Sequence, residues 1–194
     1  VAVAVILFAV YYLLQIWDEE RTPALLPVIG LVAGFGYAAK YTAVLAIPFA
    51  AVFVASRLIV ARQKVWKPLV IVTLCAVAVM APWLAKNWLW LDNPVSPFFN
   101  KLFPNPYVHI SLEEEWTTYL RTYNQITSFR QIPLEVTMRG HVLAGLVGPV
   151  FLLSPLALFA LGERHGRRLL AAALVFGATY PLNLGTRFLI PPLP

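Results

Sequence analysis

The sequence predicts an all-α membrane fold: a polytopic bundle of transmembrane helices with an external loop bearing an amphipathic interfacial helix. Three observations carry this expectation. Of 194 residues, 60% are hydrophobic and 12% are charged, about half the roughly 25% charge of a soluble domain. Apolar runs of spanning length alternate with short polar breaks. Lysine and arginine collect in two short segments that fall on one side when the runs are threaded back and forth. The net charge is +6, but in a multispan chain the placement of basic residues matters more than their sum, so nucleic acid is not an expected partner. Cys75 is the single cysteine, which excludes an intrachain disulfide and a thiolate metal cluster.

Val1 to Trp17 makes about one bilayer crossing, and Asp18-Glu19-Glu20-Arg21-Thr22-Pro23 is expected to break it. Ala24 to Ser56 is apolar except for Lys40. As one helix it would reach about 50 Å, too long for a hydrocarbon core of about 30 Å. Two short helices meeting near Gly34 to Lys40 are expected instead. Gly30 and Gly34 form a small-xxx-small face for close packing, and Gly36 weakens helix continuity. Arg57, Arg62, Lys64 and Lys67 then read as a short loop without an acid, which places it in the cytoplasm. Pro68 to Leu91 crosses outward and ends among Pro82, Trp83, Lys86, Asn87, Trp88 and Trp90, a composition suited to the boundary between hydrocarbon and water.

Residues 92–141 are mostly polar and read as the external loop. Pro94, Pro97, Pro104 and Pro106 impose extended chain. Ser111 and Glu114 then form a capping box, and Glu113 and Glu115 sit in the first turn, where the helix dipole favours negative charge. Leu112, Trp116, Tyr119, Leu120 and Tyr123 share one face, so Leu112 to about Phe129 is expected to be an amphipathic helix on the outer membrane surface. Val142 to Gly162 is read as an inward crossing, Glu163 to Arg168 as a second basic turn, and Leu169 to Leu184 as an outward crossing. Gly185 to Arg187 then lies outside, and Phe188 to Pro194 starts another crossing. Both ends break off in apolar sequence, so residues 1–194 are read as a single incomplete transmembrane domain of a longer chain.

Several residues invite chemistry, each beside a plainer reading. Lys40, an ionisable group among apolar residues, is either a cation for an anionic headgroup or a lysine snorkelling from a hairpin apex. Lys86 and Asn87 are either phosphate ligands or interfacial anchors beside the tryptophans. Arg187, between two apolar runs, presents a planar fork of donors that matches phosphate; the alternative is again an anchor. Asp92 is either a base or a turn residue before Asn93-Pro94. Capping explains Glu113, Glu114 and Glu115 more cheaply than a catalytic or metal cluster. His109 and His141 lack ligand spacing, and no nucleotide-binding glycine loop, G-x-S-x-G or H-E-x-x-H is present.

Three pieces taken together resemble the GT-C superfamily of membrane glycosyltransferases, nearest the family-39 and protein-mannosyltransferase-like group. They are Gly30-Leu31-Val32-Ala33-Gly34-Phe35-Gly36-Tyr37-Ala38-Ala39-Lys40-Tyr41-Thr42; Ala81-Pro82-Trp83-Leu84-Ala85-Lys86-Asn87 with Asn93-Pro94-Val95-Ser96-Pro97-Phe98; and Arg187-Phe188-Leu189-Ile190-Pro191. Where relatives often have arginine before the asparagine, this chain has Lys86. The resemblance implies a multi-pass protein of the bacterial inner membrane. It implies transfer of a sugar from a polyprenyl-phosphate donor to a lipid, glycan or protein acceptor on the outer face. Lys40, Lys86 and Arg187 map onto the basic positions expected to hold the donor phosphate, with Tyr41, Asn87 and Asp92 as further substrate-binding candidates. The family's catalytic acid lies in a first external loop, expected upstream of Val1, so no catalytic residue is assigned. Membrane lipids and the lipid-linked sugar are the implied partners; the acceptor is unassigned. No metal ligands are assigned, although a divalent metal is compatible with the family. Two other classes remain open: a transporter or flippase for an amphipathic anion, and a structural membrane subunit.

Overall fold

The computed structural model describes residues 2–104, 107, 115, 118–119, 122, 128–143, 145–180, 185–186 and 189. The chain forms two compact units, Val1–Tyr107 and Val108–Pro194. Among the described residues every regular element is helical. The first unit contains α1 (Ala2–Glu20), α2 (Leu25–Ala39), a 3-10 turn (Tyr41–Leu45), α3 (Ala46–Val60) and α4 (Trp66–Leu91). Three stretches, Ala2–Glu20, Tyr41–Val60 and Trp66–Leu91, are long and apolar enough to cross a membrane.

Proline marks where these helices start. Pro27, Pro48 and Pro68 each occupy the third position of α2, α3 and α4. The first-turn N–H groups of a helix have no intrahelical acceptor, so a residue lacking one costs nothing there. Pro82 differs, because it stands inside α4 and leaves the carbonyl four residues before it without its helical donor.

The core of the unit follows helical spacing. Leu7, Val10, Leu14 and Trp17 are buried along α1, and Ala46, Ala50, Val54 and Leu58 along α3; both sets keep the three-to-four-residue period of one face. The α2 face is built from small residues. A Cβ at Gly30 would strike the Val72 carbonyl and come within 2.8 Å of the Cys75 Cβ, and one at Gly34 would meet the Ala76 backbone, 2.8 Å from its Cα. Close packing of α2 on α4 thus follows from Gly30 and Gly34, as expected of small-xxx-small spacing. Since Gly30 opposes Val72 and Gly34 opposes Ala76, these helices run parallel. α1 and α3 are parallel too, because Asp18 and Arg57 meet near their C-terminal ends. The unit therefore has a basic end, with residues 57–67, and a tryptophan end, with the last turns of α4.

The interruption between α2 and α3 falls at Lys40, the last residue of the expected Gly34–Lys40 junction, and other local expectations are refined or corrected. Gly36 remains helical, packed against Ile6 and Ala43, while Lys40 is extended with φ −162°. Its N–H still donates to Gly36 O at 2.9 Å and its carbonyl accepts from Ala43 N at 2.9 Å, so the chain passes directly into the 3-10 turn. α1 does end inside the expected Asp18–Pro23 break, where Arg21 takes φ 56°, but the acids Asp18, Glu19 and Glu20 still form its last turn. Arg57 is not a loop residue but belongs to the last turn of α3, facing Asp18. That helix ends at Val60, four residues beyond the Ser56 end of the apolar run, where Arg62 takes φ 53° and the N–H groups of Arg62 and Gln63 close onto Ile59 and Leu58, a Schellman cap. Finally, the amphipathic helix does not reach Phe129. Glu115, Thr118, Tyr119 and Thr122 are helical, but Ser128 is extended and caps a new 3-10 turn, Phe129–Gln131. The capping box Ser111–Glu114 and the apolar positions Leu112, Trp116, Leu120 and Tyr123 lie outside the described residues.

The second unit departs further from expectation. Ile132–Leu134 is a single α turn that widens into a π turn, Glu135–Arg139, closed by Gly140 at φ 64°. The end of the expected polar loop therefore folds inward: Val136 and Leu143 are buried, with Ile132, Val147, Tyr180 and Leu189 packed around them. No 21-residue crossing follows. Gly145 and Gly148 hold φ 144° and 111° and break the chain, and among the described residues of this stretch only Pro149–Gly162 is regular, as a 14-residue 3-10 helix. At about 2.0 Å per residue this covers about 28 Å. The expected basic turn is helical, since α5 (Arg164–Gly177) begins at Arg164 and includes Arg167 and Arg168. Arg167 explains the early start, for its Nη1 donates to Leu161 O at 3.0 Å and Gly162 O at 3.2 Å, capping the last carbonyls of the preceding 3-10 helix.

Candidate functional site

The tryptophan end of the first unit gathers most of the candidate residues. Lys86 lies on the last turns of α4, and its Nζ sits 4.5 Å from the Trp83 ring centre and 5.1 Å from that of Trp90. The rings stand three residues before and four after the lysine, the spacing that puts side chains on one helix face. An ammonium between two π faces is held electrostatically. Ring contacts leave the positive charge uncancelled, unlike a carboxylate, and Lys86 remains exposed.

Below it the chain turns back on itself. Asp92 caps α4 in the left-handed region at φ 53°, and its N–H donates to Trp88 O at 3.0 Å. This is a turn residue, with its carboxylate outside. Asn93 and Asn100 are fully buried. The Asn93 side chain accepts from Val95 N at 3.0 Å and donates to Phe98 O at 2.8 Å and Asn100 Oδ1 at 3.2 Å. Asn100 donates in turn to Pro97 O at 2.5 Å. Buried amides satisfied on both sides fix a single loop conformation. Asn87 belongs to the same scaffold, since it is buried and its Nδ2 points at Pro94 O, 3.5 Å away. Loop support, and not an exposed ligand position, is what the structure gives it.

The loop reaches the Lys40 apex. Phe98 packs edge-on against Tyr41 with ring centres 4.8 Å apart, and Trp88 meets Phe103 at 6.3 Å. Lys40, half-buried, and Tyr41, partly exposed, thus stand at the same end of the bundle as Lys86, Asn87 and Asp92. Arg187 lies outside the described residues. Its neighbour Thr186 is anchored within the second unit, donating through Oγ1 to Gly145 O at 2.8 Å and through N to Leu143 O at 3.1 Å. Among the described residues no group of three His, Cys, Asp or Glu side chains is placed to hold a metal ion.

Sequence reasoning missed a cluster at the basic end. Asp18 Oδ1 accepts from Arg57 Nε at 2.7 Å and from Arg21 Nη2 at 2.8 Å. Arg21 Nε also caps the Asp18 carbonyl at 3.0 Å, and its guanidinium lies 5.0 Å from the Trp17 ring centre. The Asp18 side chain is 3% exposed, against 25% for Arg57 and 36% for Arg21. A signal for this was available: the buried stripe of α1, stepping from Leu7 to Leu14, reaches Asp18 at the next four-residue interval.

No protein-family model matches the chain, and neither curated proteins nor solved structures return a match.

Proposed function

We propose that the chain is a multi-pass membrane protein and part of a GT-C-type glycosyltransferase. On this reading it transfers a sugar from a polyprenyl-phosphate donor to a lipid, glycan or protein acceptor at the outer face of a bacterial inner membrane. The observation that carries the reading is Lys86, an exposed ammonium clasped by two indoles at the end of a 26-residue apolar helix, with Lys40 at the same end. Along α4, at about 1.5 Å per residue, Lys67 and Lys86 are about 28 Å apart, which matches a hydrocarbon core of about 30 Å. Trp66 marks one boundary of that helix and Trp83, Trp88 and Trp90 the other, as amphipathic rings do at headgroup level. Arg62, Lys64 and Lys67 then fall on the cytoplasmic side and Lys86 outside.

The chemistry asked of these cations is electrostatic. When an acceptor oxygen attacks the anomeric carbon, the carbon–oxygen bond to the donor phosphate breaks and its electron pair moves onto the departing phosphate. Cations fixed in a site of low dielectric stabilise that developing charge. The resemblance assigns Lys40, Lys86 and Arg187 this role, and Tyr41 and Asp92, at the same end of the first unit as Lys40 and Lys86, are further substrate contacts on this reading. The test is transfer from a panel of lipid-linked sugars by the full-length protein in proteoliposomes. Lys40→Ala, Lys86→Ala and Arg187→Ala are each expected to lower transfer about tenfold or more, corresponding to about 1.4 kcal/mol of lost transition-state stabilisation. Undiminished transfer by all three variants overturns the assignment, as does labelling that puts Lys86 and Arg187 on opposite faces. A carrier for an amphipathic anion has one observation behind it, the helix interruption at Lys40. Movement of the lipid-linked sugar across the bilayer without a new glycosidic bond identifies that case.

A further inference from the structure

We infer that the paired arginines at the basic end, Arg21 and Arg57, form a second anion site that takes the phosphate of an anionic phospholipid from the cytoplasmic leaflet. The inference rests on the membrane placement proposed above and is independent of sugar transfer. Two guanidinium groups converge on one carboxylate oxygen, Asp18 Oδ1, so the cluster retains one positive charge in excess. The carboxylate lies beneath, 3% exposed, and the guanidiniums form the accessible layer above it. Hydrogen-bonding capacity is left over. For Arg57, one quarter exposed, only Nε is engaged among the described residues, which leaves its terminal N–H groups. Arg21 Nη1 also has no partner among the described residues but is itself buried, so the accessible donors are those of Arg57. Planar guanidiniums with spare N–H groups bind phosphate oxygens through paired, charge-assisted bonds.

The surroundings favour a lipid as the source of that phosphate. Ile59, Val60 and Trp66 are exposed at the same end, giving acyl chains an apolar wall. Lys67 lies 5.8 Å from the Trp66 ring centre, and Arg62 and Lys64 are exposed on the adjoining turn. Basic pockets between helices at the cytoplasmic boundary are where anionic headgroups concentrate. Glu19 and Glu20 are exposed next to the cluster and offset its two arginines, so the positive excess at this end is supplied by Arg62, Lys64 and Lys67, which argues for one bound headgroup and not a broad polybasic surface.

The full chain in nanodiscs of phosphatidylcholine containing one part in three of phosphatidylglycerol tests this, with retained lipid read by native mass spectrometry. Phosphatidylglycerol is expected to be retained about tenfold over phosphatidylcholine, a ratio that corresponds to about 1.4 kcal/mol. Arg21→Gln is expected to remove most of that preference and Arg62→Gln little of it. Because loss of Arg57 would leave buried Asp18 with Arg21 alone, Arg57→Lys serves as the second variant. It keeps the ion pair but lacks the fork, and is expected to lower the preference several-fold. Equal retention of the two lipids overturns the proposal, and so does a preference unchanged in both Arg21→Gln and Arg57→Lys. Displacement of phosphatidylglycerol by millimolar inorganic phosphate assigns the site to the free anion and overturns the lipid as occupant. Transfer activity is not read here, so failure leaves the glycosyltransferase reading to its own assay.

Discussion

The two ends of the first unit hold cations by different means. At the basic end Arg21 and Arg57 share a carboxylate that is almost wholly covered. At the tryptophan end Lys86 has indole faces on either side. A buried ion pair ties elements together, because separating it strands a charge in a medium that cannot solvate it. A ring contact steadies a cation at smaller cost and leaves its charge directed outward. The comparison teaches that the first arrangement joins α1 to α3 and offers an anion only the guanidinium N–H groups that the joint leaves over, whereas the second offers an anion a whole uncancelled charge.

Four substitutions break or sharpen that contrast. The largest effect is expected from Arg57→Ala, which leaves Asp18 buried with one guanidinium. Because Arg21 still pairs with Asp18, stability should fall by about 2–3 kcal/mol, read by denaturation of the purified protein in detergent, and Asp18→Asn combined with Arg57→Met should recover much of it. Next is Gly34→Ala, whose methyl meets the Ala76 backbone. Overpacking of about 1–3 kcal/mol should appear in the same measurement, equally with either end intact, which separates bundle packing from charge. Third is Asn93→Ala, which removes three hydrogen bonds under the loop and leaves the Val95 N–H and Asn100 amide short of a partner. A loss of about 1–3 kcal/mol is expected, with proteolysis in residues 94–100 as a local readout. The smallest stability effect belongs to Lys86→Ala, about 0.5–1 kcal/mol from the two ring contacts, although its effect on transfer should be the larger one. If Lys86→Ala instead destabilises as much as Arg57→Ala, the two ends are not different in kind.

How far the sequence reaches can be judged from particular residues. The helical class, the small face at Gly30 and Gly34, and the turn at Asp92-Asn93 follow from composition, spacing and turn chemistry, which act over a few residues. Lys40, Lys86, Tyr41 and Asp92 do stand at one end of the unit, because an apolar run's length already decides which of its ends a residue occupies. What escaped is tertiary. Asp18 reads as a helix breaker until Arg57, distant in the chain, is placed opposite it. Asn87 reads as a ligand until Pro94 folds back towards its amide. Residues 142–162 read as one spanning helix because hydropathy ignores backbone angle, yet Gly145 and Gly148 adopt conformations no α-helix contains. The second unit's Glu135, buried with Arg139 3.4 Å away, likewise lies in a stretch that composition marks as loop.

Asp18 and Arg57 are 39 residues apart, and that interval has a consequence for how the protein is born. A ribosome adding about 5–20 residues per second takes about 2–8 s to cover it. For that time the first helix carries its carboxylate without its eventual mate. Arg21, three residues on and made almost at once, is there to chaperone it. A charge that must wait has been given an early companion, and the third helix, arriving later, completes a threesome already begun.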